Sequence, residues 1–311
     1  MNELEALKKK TEKQQKKIAT LTDQIEKLQK VVGDSLESRV RADAKNAKDG
    51  DENEFEYIKK LVRAYYDLQQ PRIMHNNRIK GMIRNEVYDA DEAARIHGDV
   101  TLELLETAET HMKRRFTIFI ERQPIWQDGW LPSVRGIGPV LAAGLVAELG
   151  SSANFDNVGK LWAYCGLHVK DGACVKRKKG VKSNWNSVAK TLCWKVGDSF
   201  VKSGGAYRQL YDARKEFEQM KHPESFATGN GKEVRFGKGH LDARARRYTV
   251  KMFLSNLWEV WRTVDKLPVV QPYGVEMANH GFKIDPWDFQ ENPDKYIAHA
   301  FDSWGVSKLA G

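Results

Sequence analysis

The most specific local motif in this sequence is a short turn that contains glycine and proline and could bind phosphate. Gly136-Ile-Gly-Pro139 is followed by a run of small and apolar residues. Glycines let the backbone turn tightly and approach a ligand, and proline suits the first helical position because it lacks an N–H. The free N–H groups of such a helix attract phosphate. The pattern predicts a helix-hairpin-helix element that binds a DNA backbone through Arg135, Gly136 and Gly138. An ordinary corner in a protein core is the alternative.

Positive charge is concentrated in two windows of the chain. The net charge is +9, and residues 170–182 and 235–251 each carry six Lys or Arg and one Asp, so the rest of the chain is nearly neutral. Such clustering predicts a phosphate-binding surface for DNA, with RNA as an alternative. Two solvated loops are the competing interpretation. The predicted ligands in the windows are Lys170, Lys176, Arg177, Lys178, Lys179, Lys182, Arg235, Lys238, Arg244, Arg246, Arg247 and Lys251.

The cysteines are weaker candidates for a catalytic or metal-binding role. A basic environment could activate Cys174 as a nucleophile, but the sequence shows no base with an orienting partner, so we assign no catalytic residue. Cys165, His168, Cys174 and Cys193 could bind zinc in principle. Their spacing does not match the usual paired ligand motifs, and we expect no metal.

Two other groups of residues are expected to be structural. An acidic group near the C-terminal end is typical of surface turns: Asp285, Asp288 and Glu291. Aromatic residues beside the first window could stack on bases, although at helical spacing such residues are more often part of a core. These are Trp162, Tyr164, Trp185 and Trp194.

An N-terminal heptad repeat predicts a homodimer. Within residues 1–33, seam residues alternate at spacings of three and four, with Ile and Leu at the positions that favour a parallel two-stranded coiled coil. A single amphipathic helix is the alternative, but its apolar face would be wider. The side chains expected in the dimer interface are Leu4, Leu7, Ile18, Leu21, Ile25 and Leu28.

The remaining pattern predicts a mainly α fold. We expect a flexible linker over residues 34–54, a helical stalk over 55–124, a helical domain with the helix-hairpin-helix over 125–265, and an irregular, proline-containing tail over 266–311. The apolar residues of the helical regions recur every three or four positions, as on one face of a helix.

Composition excludes several classes of protein. Aromatic residues make up 10% of the chain, more than a disordered protein carries. No apolar run approaches the roughly 18 residues that span a bilayer, and the first residues lack the apolar segment of a signal peptide. An odd number of cysteines argues against a disulfide framework. We therefore expect a soluble, reduced, cytoplasmic protein.

Several motifs together resemble one transposase family. Val134-Arg-Gly-Ile-Gly-Pro-Val-Leu-Ala-Ala, the segment from Phe155 to Gly166-Leu167, and Val181-Lys-Ser-Asn-Trp-Asn186 are similar to the C-terminal transposase domain of certain insertion sequences. Members of that family pair this domain with an N-terminal RuvC-like DEDD nuclease domain, and some are guided by a bridge RNA. Weaker similarity in the stalk and in a closing helix extends the resemblance over about residues 57–265.

The sequence departs from that family at the catalytic positions. Where the family carries its catalytic serine, residues 166–177 contain no serine, and Cys174 lies near that place. Trp185 stands where the family has glycine. The segment before the stalk shows no strand pattern that could hold the four nuclease carboxylates. The resemblance therefore implies a DNA-binding, transposition-related protein of a mobile element without its own nuclease. It also implies that the cell is prokaryotic or phage-infected. A recombinase subunit that acts with a partner nuclease, or through an unrecognised site with Mg²⁺, is the alternative.

Overall fold

The computed structural model describes residues 15–16, 19–20, 23, 27, 52–89, 91–92, 95, 100–170, 173–177, 179–223, 237–270 and 284–304. For residues 52, 53, 100, 101, 170 and 173 it describes the backbone alone. All six predicted dimer-interface residues, Lys178, Arg235 and residues 34–51 of the predicted linker lie outside this description. The described fold is mainly α, as the sequence predicts. No helix in the described ranges is long and apolar enough to cross a membrane.

Eleven helices and one small hairpin make up the longer described segments. The helices are α1 (Glu52–Arg84), α2 (Val100–Glu121), α3 (Pro124–Gln127), α4 (Trp130–Ser133), α5 (Pro139–Leu149), α6 (Val158–Tyr164), α7 (Ser187–Ser203), α8 (Ala206–Lys221), α9 (Lys238–Val264), α10 (Pro286–Glu291) and α11 (Pro293–Trp304). A 3₁₀ turn spans Ser152–Asn154. Strands β1 (Val169–Lys170) and β2 (Ala173–Cys174) pair antiparallel, with Val169 opposite Cys174.

The chain divides into two compact units. Among described residues, the first contains those within Met1–Asp49 and Gln69–Arg115, and the second contains those of Gly50–Leu68 and Phe116–Gly311. Within the first unit, Arg72 Nε donates to Glu109 Oε1 at 2.5 Å. Glu109 is buried, so this pair compensates a carboxylate removed from water.

An aromatic cluster forms the centre of the second unit. The rings of Trp130, Phe200 and Tyr207 lie 6.1, 5.3 and 5.5 Å from the ring of Phe253. The ring of Phe289 lies 5.1 Å from that of Tyr207. These residues come from α4, α7, α8, α9 and α10, and all are almost completely buried. The cluster therefore joins five helices in one core, and α9 supplies its central ring.

Polar groups of α9 fix its position along the core. Trp258 Nε1 donates to the Phe155 carbonyl at 2.7 Å, and Asn256 Nδ2 donates to the Tyr207 hydroxyl at 2.9 Å. The guanidinium of Arg262 donates to the carbonyls of Ser152 and Phe155. Because buried polar groups are costly without partners, these contacts specify one register for the helix.

The C-terminal segment differs from the expected irregular tail, because residues 286–304 form α10 and α11. Pro286 and Pro293, which suggested irregular structure, each stand at the first position of a helix, where the missing N–H costs nothing. The carboxylate of Asp285 accepts from the backbone N–H groups of Trp287 and Asp288 and caps α10. Phe289 is fully buried in the aromatic cluster, which explains why the segment folds.

A glycine terminates α6. Gly166 has φ +64°, and its N–H donates to Ala163 O while the Leu167 N–H donates to Trp162 O. This is a Schellman cap, in which a left-handed residue lets the chain return over the last turn. A Cβ at Gly166 would lie 2.6 Å from Cδ1 of Trp185. Both backbone conformation and packing therefore require glycine here.

We predict that Gly166→Ala lowers the free energy of unfolding by about 2–4 kcal/mol, because left-handed strain adds to overpacking against Trp185. Gly180→Ala is the matched control: it has φ +76°, but no atom lies within 4 Å of its added Cβ. The control should lose only about 1–2 kcal/mol. Urea denaturation followed by circular dichroism measures both, and equal losses would refute the packing argument.

Candidate nucleic-acid interface

The two basic windows meet in one cleft of the second unit. The cleft has a volume of about 570 Å³ and lies between α7, α9 and the chain that follows β2. Cys174 and Lys176 of the first window line it together with Arg246 and Arg247 of the second. Arg247 Nη1 donates a hydrogen bond to Cys174 Sγ and so joins the windows directly. Segments far apart in sequence thus contribute to one surface.

A histidine beside this cleft experiences the charge of both windows. Burial lowers the pKa of His240, and the positive charges of Arg244, Arg247 and Lys176 lower it further. Two of these cations belong to the second window and one to the first. Their combined action on one imidazole indicates that the positive fields of the windows overlap.

Two of the predicted phosphate ligands form ion pairs with carboxylates of the protein. Arg246 donates to Asp242 at 2.7 Å and to Asp198 at 3.2 Å. Arg244 Nε lies 2.6 Å from Oε2 of Glu218, whose side chain is almost fully buried. Breaking either set would leave carboxylates without their compensating charge. We therefore assign these arginines a structural role in the wall of the cleft.

Lys251 packs against an aromatic ring. Its Nζ lies 4.0 Å from the ring centre of Trp162, and Trp162 Nε1 donates to the Lys251 carbonyl at 3.0 Å. Burial lowers the pKa of Lys251, with a further contribution from Arg247. These contacts hold α9 against α6.

The cations that face solvent lie mainly in the first window. Within the described part of the chain, four of them are exposed and form no ion pair: Lys176, Arg177, Lys179 and Lys182. Lys238 is exposed at the first position of α9. The Lys170 side chain is among those not described. The solvent-facing charge is therefore smaller than the two windows suggest.

The glycine turn before α5 has one packed side and one open side. Gly136 has φ +101°, its carbonyl accepts from Ser199 Oγ at 2.6 Å, and an added Cβ would lie 3.1 Å from Ser203 Oγ. Gly138 is exposed, caps α5, and precedes Pro139 at the first helical position. The predicted helix start is therefore present, whereas the preceding helix, α4, has only four residues. The helix-hairpin-helix itself stays a prediction.

Arg135 is exposed beside this turn. Its side chain passes over Gly204 and Gly205, which join α7 to α8. A Cβ added at Gly205 would lie 2.9 Å from Cβ of Arg135. The two glycines thus leave room for the arginine stem, and the guanidinium carbon lies 3.8 Å from a Cβ added at Gly204.

One face of α7 contributes residues that the two windows did not reveal. Lys190, Trp194 and Asp198 are spaced by four, so they share a face of the helix, and all three line the cleft. Trp194 is 63% exposed. Trp185, by contrast, packs on Gly166 and has Lys190 Nζ 4.6 Å from its ring centre. Helical periodicity from Asn186 onward could have identified this face from the sequence.

Asn186 holds three elements together. Its Oδ1 accepts from the N–H groups of Val188 and Ala189 and caps α7. Its Nδ2 donates to Glu148 Oε1 of α5 at 2.5 Å and to the Tyr164 hydroxyl of α6 at 2.7 Å. Sequence reasoning singled out Asn186 only by resemblance and did not find buried Glu148.

Zinc ligation of the cysteines has no support in the described residues, where no three His, Cys, Asp or Glu side chains gather around a common point. Cys165 and Cys193 are buried free thiols, and their mutual hydrogen bond, with burial, raises the pKa of Cys165. Cys174 instead accepts from Arg247, as described above.

The acidic group has structural roles. Asp285 caps α10, and Asp288 accepts hydrogen bonds from Lys295, Tyr296 and Asn292. These donors lower the pKa of Asp288 to about 2. Asp285 therefore stabilises the start of α10, and Asp288 joins α10 to α11.

A comparison with known families finds a match for one segment of the second unit. Residues 129–192 match the model of the Transposase IS116/IS110/IS902 family. The matched segment is similar to a transposase C-terminal domain, extends from α4 into α7, and contributes the part of the cleft lining from Gly166 to Lys190. It includes the glycine turn, the Schellman cap, Cys174 and Asn186. The match confirms the resemblance drawn from the sequence and supports a transposase-related function. No curated protein and no solved structure matches the chain.

We predict that Asn186→Ala lowers the free energy of unfolding by about 2–4 kcal/mol, because it removes a helix cap and leaves buried Glu148 without a donor. Asn157→Ala is the matched control, since Asn157 caps α6 through a single bond to the Lys160 N–H. It should lose about 1 kcal/mol. Equal losses in urea denaturation would show that the Glu148 contact contributes nothing.

Proposed function

We propose that this chain is a DNA-binding protein that holds DNA on the cleft face of its transposase-like domain and does not itself cleave it. The observation that carries the proposal is the convergence of both basic windows on one cleft. A phosphate backbone is recognised by positive charge gathered on one face, whereas scattered charge mainly affects solubility.

Exposed cations next to the cleft would make the phosphate contacts. Lys176 lines the cleft, and Arg177, Lys179 and Lys182 continue along the same exposed segment. The open N-terminus of α5 and Arg135 offer a second point of contact with the backbone. Such contacts fix the position of a duplex without reading its sequence.

Pairing of the carboxylates supports the absence of cleavage at this cleft. Asp242 is held by Arg246 and by the Tyr211 hydroxyl, and Asp198 is held by Arg246 and Lys202. A carboxylate that coordinates catalytic Mg²⁺ needs free oxygen atoms facing the substrate. In the described cleft these oxygens accept from cations and a hydroxyl of the protein instead.

Dimerisation through the heptad repeat of residues 1–33 is the second part of the proposal. A parallel coiled coil would bring two cleft faces to the same DNA molecule. Linking two binding sites raises the overall affinity without any new contact. Sedimentation of the full chain with and without residues 1–33 would measure the contribution of this segment.

We predict a steep salt dependence of DNA binding. If about half of the twelve window cations contact phosphates, the logarithm of affinity falls with the logarithm of salt at a slope of about −5. Replacing four exposed cations with glutamine should make this slope less negative by about 3–4. The variant combines Lys176→Gln, Arg177→Gln, Lys179→Gln and Lys182→Gln. Fluorescence anisotropy of a labelled duplex at rising salt measures the slope.

The matched control removes four exposed cations from other parts of the chain: Lys60→Gln, Lys80→Gln, Lys221→Gln and Lys266→Gln. It changes the net charge by the same amount and should leave the slope unchanged. An equal effect of both variants would mean that net charge, not this surface, determines binding. Absence of DNA binding by the unaltered protein would refute the proposal.

One observation favours a second function. Cys174 lines the cleft and contacts a guanidinium, a setting that suits a nucleophilic sulfur. The chain would then be a recombinase subunit that transfers DNA strands.

The two functions predict different results with supercoiled plasmid. We expect the full chain to leave the plasmid intact in the presence of Mg²⁺, because the cleft carboxylates are paired. Agarose electrophoresis is the measurement. Relaxation or nicking that disappears in Cys174→Ala, but persists in the charge control, would establish the second function instead.

A further inference from the structure

We infer that the cleft accepts an unpaired nucleotide whose base stacks on Trp194, so that single-stranded or gapped DNA is the preferred ligand over continuous duplex. This inference rests on the proposed function, because it concerns the same surface. Trp194 is the residue that would discriminate between single-stranded or gapped DNA and continuous duplex.

Exposure of Trp194 is the first observation. The side chain is 63% exposed on the cleft-lining face of α7. Trp162 and Trp185 do not line the cleft and have internal partners, namely the Lys251 carbonyl and Gly166. An indole that offers its ring to solvent beside cations can stack on a base, and such stacking tolerates any base sequence.

The cleft has the size and lining that a nucleotide requires. Its volume of about 570 Å³ lies within the range of small-molecule sites. Leu167, Val175 and Val250 provide apolar walls, and Gly197 contributes no side chain between them. A base that enters the cleft would therefore be removed from water, and one face of its ring would contact the indole of Trp194.

Cations at the same cleft could hold the attached phosphate. Lys190 lies one helical turn before Trp194, and Lys176 and Arg247 line the cleft from the chain after β2 and from α9. Lys190 Nζ also donates to the Val175 carbonyl at 3.1 Å, which fixes its position at the wall. An aromatic platform with adjacent cations is the arrangement used by proteins that bind single strands.

Continuous duplex cannot use this arrangement. In a duplex both faces of each base are covered by neighbouring bases, and exposing one face costs unstacking energy. Duplex would therefore contact only the exposed cations, whereas an unpaired nucleotide would contact the cations and Trp194 together. The difference between the two ligands should therefore be sensitive to the side chain at position 194.

The test compares the full chain and its variants on three labelled DNAs: a single strand, a duplex with a short gap, and an uninterrupted duplex. Anisotropy should show that Trp194→Ala weakens binding to the single strand and the gapped duplex about tenfold, which is about 1.4 kcal/mol. Binding to uninterrupted duplex should not change, which also shows that the variant is folded. Trp194→Phe should restore most of the affinity.

Trp287→Ala is the matched control, since Trp287 is also exposed, at 47%, but lies on α10 and does not line the cleft. It should bind all three DNAs as the unaltered protein does. A second readout is 2-aminopurine in the gap, whose fluorescence should be quenched by the unaltered protein and not by Trp194→Ala.

The outcomes separate this inference from the proposed function. If no DNA is bound, the proposed function fails. If all three DNAs are bound but Trp194→Ala weakens them equally or not at all, the inference is overturned while DNA binding stands. Unchanged 2-aminopurine fluorescence with tight gapped-duplex binding would also overturn it.

Discussion

Close packing of α9 against α7 is the constraint on which the cleft depends. Gly197 lies at this contact, where an added Cβ would be 3.1 Å from Cγ2 of Val250. The aromatic cluster around Phe253 holds α9 in place, since burial of each large aromatic contributes a few kcal/mol. Arg246 and Arg247 lie close to Val250 on α9. The close approach at Gly197 therefore places this part of the second basic window in the cleft, where Arg247 contacts Cys174 of the first window.

Burial divides the basic residues into two groups. Glu218 is almost fully buried and is compensated by Arg214 and Arg244, and Arg246 bridges two half-buried carboxylates. Removing one partner from such a set leaves an uncompensated charge, which is costly in a medium of low dielectric constant. These arginines are therefore needed to build the surface, and the lysines that remain in solvent can bind phosphate.

The residues that match the transposase family have mainly architectural roles in this chain. Gly166 terminates α6, and Asn186 caps α7 while it satisfies Glu148. Gly136 fits against α7 with a left-handed backbone. Motif residues of this kind hold the helices of the segment together whether or not the segment carries out chemistry. A family match therefore reports the fold of the segment more directly than its chemistry.

The sequence by itself determined the helical class, the helix start at Pro139 after the glycine turn, and the two regions of positive charge. These depend on local periodicity and composition. Only the tertiary structure decided which cations are paired, that Trp194 is exposed, and that residues 286–304 form helices. Those outcomes depend on contacts between distant segments, such as Arg247 with Cys174 and Trp130 with Pro286. A linear pattern holds no information on such contacts, because burial and pairing are properties of the assembled core.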